Sequence, residues 1–207
     1  MNVIVTGSER GIGKEIAREL CRRGHYYYGF SRFNDIDVSD YNCIQRAFSE
    51  LADKPPEALV NNAGVIELGS VLELTPEAWK KQMDINLNGV FYCTKEYVKI
   101  AKNTGGKIIN IASTAGLGAR PGRSAYAASK AAVINFSLSM AEELRPYGIK
   151  VYCIAPGAVN TDMRKQIAPD DDFADMLQPE ELAKFVVDII EDGQMLDGQV
   201  IQVRRSF

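Results

Sequence analysis

The chain has 207 residues, 46% hydrophobic and 25% charged, a size and balance that suit one compact globular unit. Its 24 Lys+Arg against 27 Asp+Glu leave a formal net charge of −3, which excludes the basic footprint of a nucleic-acid-binding protein. Four scattered cysteines (Cys21, Cys43, Cys93, Cys153) with no CxxC pair, a lone His25, a start without a basic leader and no run near the roughly 18 apolar residues of a membrane span predict a reduced, cytoplasmic, metal-free protein.

Asn2–Thr6 reads as the first strand, followed by a glycine-rich turn and a helix at about Ile12–Arg23. Tyr26–Ser31 is the second strand. Asn34–Val38 follows it almost at once; adjacent parallel strands need a crossover of about ten residues, so this segment is predicted to be a loop or a short edge piece. A helix at Asp40–Ala52 precedes a third strand, Ala58–Asn61, and the long helical stretch Pro76–Asn103 opens on the start signal Thr75-Pro76-Glu77. Strand Lys107–Ile111, helix Ala125–Tyr147 and strand Lys150–Ile154 come next. The polar stretch Ala168–Asp175, with Asp170, Asp171 and Asp172 in a row, is predicted to be a mobile surface loop. Helix Pro179–Glu191, started by Pro179-Glu180-Glu181, and strand Gln199–Val203 complete the chain. Such alternation predicts an α/β, doubly wound parallel sheet of about six strands with helices on both faces, one Rossmann-type domain over residues 1–207.

Two places carry chemistry. Thr6-Gly7-Ser8-Glu9-Arg10-Gly11-Ile12-Gly13 joins the first strand to the first helix, where glycines admit a pyrophosphate and a helix N-terminus favours its charge. Taken alone, the turn also reads as a plain tight connection. At the end of the second strand an acidic residue would hold a ribose 2′-hydroxyl, whereas an arginine would accept a 2′-phosphate. The residues there are Ser31 and Arg32, and with Arg10 two guanidinium groups flank one phosphate, which favours NADP(H) over NAD(H). Tyr126-Ala127-Ala128-Ser129-Lys130 places Tyr126 and Lys130 on one helix face. A tyrosine with an ordinary pKa of about 10 needs a nearby cation to work near neutrality. In isolation the pair also reads as surface neighbours.

The glycine turn, Asn61-Asn62-Ala63-Gly64, Asn86 in Asn-Leu-Asn-Gly, Ser113 in Ile-Ala-Ser and Tyr126–Lys130 occur in this order, with Pro156-Gly157 and Thr161 after the fifth strand. In this the chain resembles the short-chain dehydrogenase/reductase family, and most closely its 3-oxoacyl-(acyl carrier protein) reductase-like members. The resemblance implies that Tyr126 is the acid/base, that Ser113 polarises the carbonyl oxygen, and that Lys130 lowers the Tyr126 pKa and binds the nicotinamide ribose. It further implies that Asn86 holds a water linking Lys130 to solvent. It assigns Gly7, Arg10, Gly11, Ile12 and Gly13 to the phosphates, Asn62, Ala63 and Gly64 to the adenosine ribose, Asp37 to the adenine amino group, and Pro156, Gly157 and Thr161 to the nicotinamide side. Plainer roles stand beside these: Asn61 or Asn62 bridging strand ends, Asp37 as a turn residue, Thr161 capping a short helix.

Departures from that pattern matter too. The helix that family members carry between the second strand and the Asp-Val pair is missing here, which shortens the fold after the second strand and puts Arg32 and Asp37 in a reshaped pocket. Only about twenty residues separate Gly157 from Pro179, a short lid over an open pocket. Arg120 and Arg123, in the loop between Ser113 and Tyr126, either attract an anionic substrate group or are exposed loop charges. The expected substrate is a small-molecule or carrier-bound carbonyl compound, and the long helices resemble those through which family members form homodimers or homotetramers. The competing reading is a non-catalytic NADP(H)-binding sensor or scaffold; a hydrolase using Ser113 with Lys130 leaves the glycine turn unexplained.

Overall fold

A computed structural model of the protein describes residues 1–51 and 55–205. Six strands, β1 (Asn2–Thr6), β2 (Tyr26–Phe30), β3 (Ala58–Asn61), β4 (Gly106–Ile111), β5 (Ile149–Pro156) and β6 (Val200–Val203), form one parallel sheet in the order β2-β1-β3-β4-β5-β6. The helices are α1 (Gly11–Arg22), α2 (Tyr41–Ser49), α3 (Pro76–Met83), α4 (Gly89–Ala101), α5 (Ser124–Leu144), α6 (Asp162–Ile167) and α7 (Pro179–Asp192). Side chains alternate across each strand, so Val3 and Val5 face α1 and α7 while Ile4 between them faces α2, α4 and α5. Ile16 and Leu20 of α1 meet Leu182, Val186 and Ile190 of α7 on the first face, all without solvent exposure. Each such side chain contributes about 2 kcal/mol through burial.

The chain leaves β1 to one side for β2 and crosses to the other for β3. The resulting crevice between the carboxyl ends of β1 and β3 is where ligands bind in doubly wound sheets. A buried amide relay ties the sheet to the second helical layer: Asn61 Nδ2 donates to Asn110 Oδ1 (2.8 Å) and Asn110 Nδ2 to Ser137 Oγ (2.9 Å). Such buried polar links fix the strands that carry the site against α5.

Strand positions follow the sequence expectations within a residue or two, and both helix-start signals act as read. Thr75 Oγ1 accepts from Ala78 N (3.1 Å), and Glu181 reaches back to Gln178 N (2.9 Å). Asn34–Val38 is no strand; a 3-10 turn at Arg32–Asn34 leads into α2, which Asp40 caps. The end of the expected Asp40–Ala52 helix, Ala52, lies outside the described residues. One expectation is corrected. The Pro76–Asn103 stretch is two helices joined by a π turn at Asp84–Asn88, because the turn widens to seat the fully buried Asn86 against the chain after β3. The segment after Thr161 forms the short helix α6, which bears out the reading of Thr161 as a helix cap.

Candidate active site

A cleft of about 690 Å³ runs along the carboxyl edge of the sheet, lined by the segments that follow β1, β2, β3, β4 and β5. It receives Gly7, Arg10, Gly11, Ile12, Ser31, Arg32, Asp37, Asn62, Ala63, Gly64, Ser113, Tyr126, Lys130, Pro156, Gly157 and Thr161, all singled out from sequence. Gly13 and Asn86, also expected in the site, lie behind its wall.

At the β1 end, the turn is built for close approach. A Cβ on Gly13 would sit 2.2 Å from the Gly7 carbonyl oxygen and 2.4 Å from Asn62 Nδ2, so only glycine lets α1 begin this near the turn. Asn62 does bridge strand ends, its Nδ2 donating to the carbonyls of Thr6 (2.9 Å) and Gly7 (3.2 Å). Thr6 Oγ1 in turn accepts from the N–H groups of Asn62 and Ala63, both 2.9 Å. Ser31 is buried at the end of β2, Arg10 faces the cleft, and among the described residues the Ser31 Oγ has no hydrogen-bond partner and Arg10 no carboxylate. A hydroxyl and a guanidinium left open beside a glycine turn fit the phosphates of a dinucleotide. Arg32 has its own partner: Nε donates to Asp37 Oδ2 at 3.0 Å, and Nη2 pairs with the same oxygen at 2.8 Å. Asp37 also accepts from Ser39 N (2.9 Å) and Ser39 Oγ (2.6 Å), so it is a turn residue as well as a cleft residue. Burial pushes its carboxyl up, and the Ser39 bonds with the Arg32 charge outweigh that and hold it below the usual value.

At the β4 end, Ser113 starts a 3-10 turn, Thr114–Leu117, with its Oγ accepting from Ala115 N (3.1 Å). That turn presses on α5. A Cβ on Gly116 would lie 2.6 Å from Ala131 N, and this contact brings Ser113 beside the face bearing Tyr126 and Lys130. Burial raises the Tyr126 pKa, and the hydrogen bond from Ser113 and the charge of Arg123 pull it down without overcoming that. Lys130 is 4% exposed; its Nζ donates to the Ile111 carbonyl (2.8 Å) and stands 5.9 Å from the centre of the Tyr126 ring. Desolvation lowers Lys130 to about 8. One Lys130 N–H is thus given to a backbone carbonyl while the ammonium stands beside the Tyr126 ring, and Ser113 and Arg123 pull the tyrosine value down.

Asn86 reaches the site indirectly. Its Oδ1 accepts from Val65 N (2.8 Å), and its Nδ2 donates to the Val65 carbonyl (2.9 Å) and to Ser129 Oγ (3.0 Å). Ser129 Oγ then donates to the Tyr126 carbonyl (2.7 Å). Ser129 was missed from sequence as a functional position, although it sits inside the Tyr126–Lys130 motif. Also missed were Ile66 and the lid residues Met163, Arg164 and Ile167, which line the cleft. Thr161 caps α6, accepting from Arg164 N at 3.3 Å, and this capping signal with Asp162 in the first turn was the available clue. Arg164 is ion-paired to Asp171, and Arg205 Nη1 donates to the carbonyls of Ala174 (2.5 Å) and Met176 (3.4 Å), tying the lid segment down.

Sheet order, glycine turn and the Ser113–Tyr126–Lys130 grouping together define a dinucleotide-binding α/β protein with a polar reaction centre at the far end of its cleft. Residues 29–172 match the family model for short chain dehydrogenase, and the chain belongs to that family. It is 33% identical to a 3-oxoacyl-[acyl-carrier-protein] reductase of Synechocystis sp. over 97% of this chain and 94% of that one. Among solved structures it is similar to ElxO with NADP bound (25% identity, TM-score 0.89, covering 98% of this chain and 96% of that one). It is likewise similar to 4-hydroxyisoleucine dehydrogenase complexed with NADH (27%, TM-score 0.87, 98% and 96%). The protein is an oxidoreductase of the alcohol–carbonyl class that uses a nicotinamide cofactor.

Proposed function

We propose that the protein interconverts a carbonyl and a secondary alcohol with NADP(H), using Tyr126 as acid/base, and that residues 1–207 act as one dinucleotide-binding catalytic domain. The observation that carries this is the meeting of Ser113, Tyr126 and Lys130 at one end of a cleft whose other end is the glycine turn. A bound nicotinamide supplies or takes up the hydride. The chain's own groups handle the oxygen. Ser113 and Tyr126 donate hydrogen bonds to it, and as negative charge develops there Tyr126 passes over its proton. A Tyr126 pKa held above the ordinary value keeps that proton in place at neutral pH. Lys130, anchored on Ile111, faces the cleft to hold ribose hydroxyls and to return a proton to Tyr126. Asn86 is a positioning residue, acting on Tyr126 through Ser129.

Preference for the 2′-phosphorylated cofactor is supported by the open Ser31 hydroxyl, by Arg10 and by Arg32, which lies 67% exposed and keeps donors beyond those given to Asp37. Opposing it is Asp37 itself, a carboxylate at the ribose end. Fluorescence titration tests this: wild-type protein should bind NADPH at least tenfold more tightly than NADH, and Arg32→Asp should erase the difference. Equal affinities in wild type would overturn the preference. Turnover of keto esters, diketones and acyl thioesters in the same samples separates the enzyme from a sensor, since tight binding with no turnover across the panel would favour the latter. A cytoplasmic setting accords with four free cysteines, and small or carrier-bound carbonyl compounds remain the proposed substrates.

A further inference from the structure

We propose that Arg120 and Arg123 form an oxyanion-binding subsite at the substrate end of the cleft, and that the natural substrate is a carbonyl or alcohol compound carrying a carboxylate or phosphate group. This rests on the oxidoreductase reading for the site and adds a substrate class to it. Five guanidinium groups line the cleft, those of Arg10, Arg32, Arg120, Arg123 and Arg164. Two are neutralised, Arg32 by Asp37 and Arg164 by Asp171. Arg10 lies in the glycine turn, at the cofactor end. Arg120 and Arg123 are left, and neither has a carboxylate partner among the described residues.

Their placement is not that of free loop charges. Arg123 directly precedes α5 and lies one helical turn before Tyr126, close enough for its charge to act on the tyrosine hydroxyl. Arg120 folds back over the turn that begins at Ser113, its Nη1 donating to the Ala119 carbonyl (2.9 Å) and its Nη2 to the Thr114 carbonyl (3.4 Å). Both stand on one tight turn, closed by Arg123 N donating to the Arg120 carbonyl (3.0 Å). The turn is braced by Gly69 N donating to the Gly122 carbonyl (3.0 Å). The acidic cleft residues lie elsewhere: Glu9 in the glycine turn, Asp37 on Arg32, Asp162 on the lid helix. The remaining substrate wall, Ile66, Met163 and Ile167, is apolar. A small carbonyl compound with its oxygen on Ser113 and Tyr126 therefore meets apolar side chains on one side and two unneutralised forks on the other. Planar guanidinium groups match an oxyanion bidentately, and two of them without carboxylate partners favour an anionic substituent over a neutral one.

The test uses matched pairs: 3-oxobutanoate, 4-oxopentanoate, 5-oxohexanoate and 6-oxoheptanoate against their methyl esters, and hydroxyacetone phosphate against hydroxyacetone. Each is titrated calorimetrically into NADPH-saturated protein and followed for NADPH oxidation. The subsite predicts that at least one acid or the phosphate binds tenfold or more tightly than its neutral partner, a preference that weakens as salt rises. In Arg120→Gln/Arg123→Gln the anion-to-neutral ratio falls to within threefold of one, while Arg123→Lys keeps part of it. A preference confined to acids, or to the phosphate, names the oxyanion. A ratio near one for every pair in wild type, or one that survives in the double variant, overturns the proposal. Anion-selective binding with no NADPH consumed by any compound would support the subsite and remove the oxidoreductase reading instead, and turnover of esters and acids alike would do the reverse.

Discussion

At the scale of the residue, Tyr126 and Lys130 show how burial sets up proton chemistry. Tyr126 keeps its proton at neutral pH because desolvation outweighs the pull of Ser113 and Arg123. On the proposed mechanism reduction consumes that proton, so it should slow as pH rises through the elevated Tyr126 value, whereas alcohol oxidation should quicken over the same range. Rates in the two directions with parallel slopes would point to another group. Tyr126→Phe should lower kcat about 10²- to 10⁴-fold in both directions. Lys130 bears the cost of the site. Its folded value of about 8 lies below the ordinary lysine value of 10.5, so between these the unfolded chain binds a proton that the folded chain does not, and stability rises with pH. Below about 8 the buried charge costs on the order of 3 kcal/mol, partly offset by the bond to Ile111. Lys130→Met should therefore abolish turnover yet stabilise the protein by about 1–2 kcal/mol at pH 7, with the gain gone near pH 10.5. Urea melts at the two pH values check this, and a variant less stable at pH 7 would contradict it.

Among the elements, α1 and α7 are joined by charge as well as by apolar packing. Glu19, 7% exposed, accepts from Arg22 (2.6 Å) and Arg23 (2.7 Å), and Arg23 reaches Asp188 (2.7 Å) and Glu191 (2.6 Å) on α7. The Arg22 hydrogen bond leads in holding Glu19 at about 2, below the ordinary glutamate value of 4.5. A depressed carboxylate stabilises the fold above pH 4.5, and that contribution is lost as pH falls through about 2. Glu19→Gln should cost about 1–2 kcal/mol at pH 7, discounted because Arg22 is mostly in water, and close to nothing near pH 2. Denaturant midpoints of the two proteins converging in acid would bear this out. The π turn shows what periodicity hides: the apolar pattern of Pro76–Asn103 runs through it unbroken, and only the seat for Asn86 behind β3 requires the extra residue.

For the whole molecule, the sheet and its two helical layers leave Trp79, Phe91 and Leu138 exposed on α3, α4 and α5. These three helices carry the proposed homodimer or homotetramer interface, since apolar side chains on neighbouring outer faces gain from cover. Light scattering at micromolar concentration should give two or four times 22.9 kDa, and Phe91→Glu should shift it toward one. A wild-type monomer would remove the assembly.

Strand and helix placement, the glycine turn and the Ser113, Tyr126 and Lys130 positions were legible in the sequence because each depends on local period or spacing: two for strands, four for Tyr126 and Lys130 on one helix face. Partners were not. That Asp37 takes up Arg32, that Lys130 bonds Ile111, and that Asn86 bonds Ser129 are decided by residues brought together from 5 to 43 positions apart. So is the isolation of Arg120 and Arg123, since a charge is left unneutralised only when the fold places every nearby carboxylate elsewhere. Sequence determined which groups this protein possesses and their order along the sheet edge; the tertiary structure alone decided which of them are already satisfied and which still face the cleft, because hydrogen bonding and desolvation depend on distance through space and not along the chain.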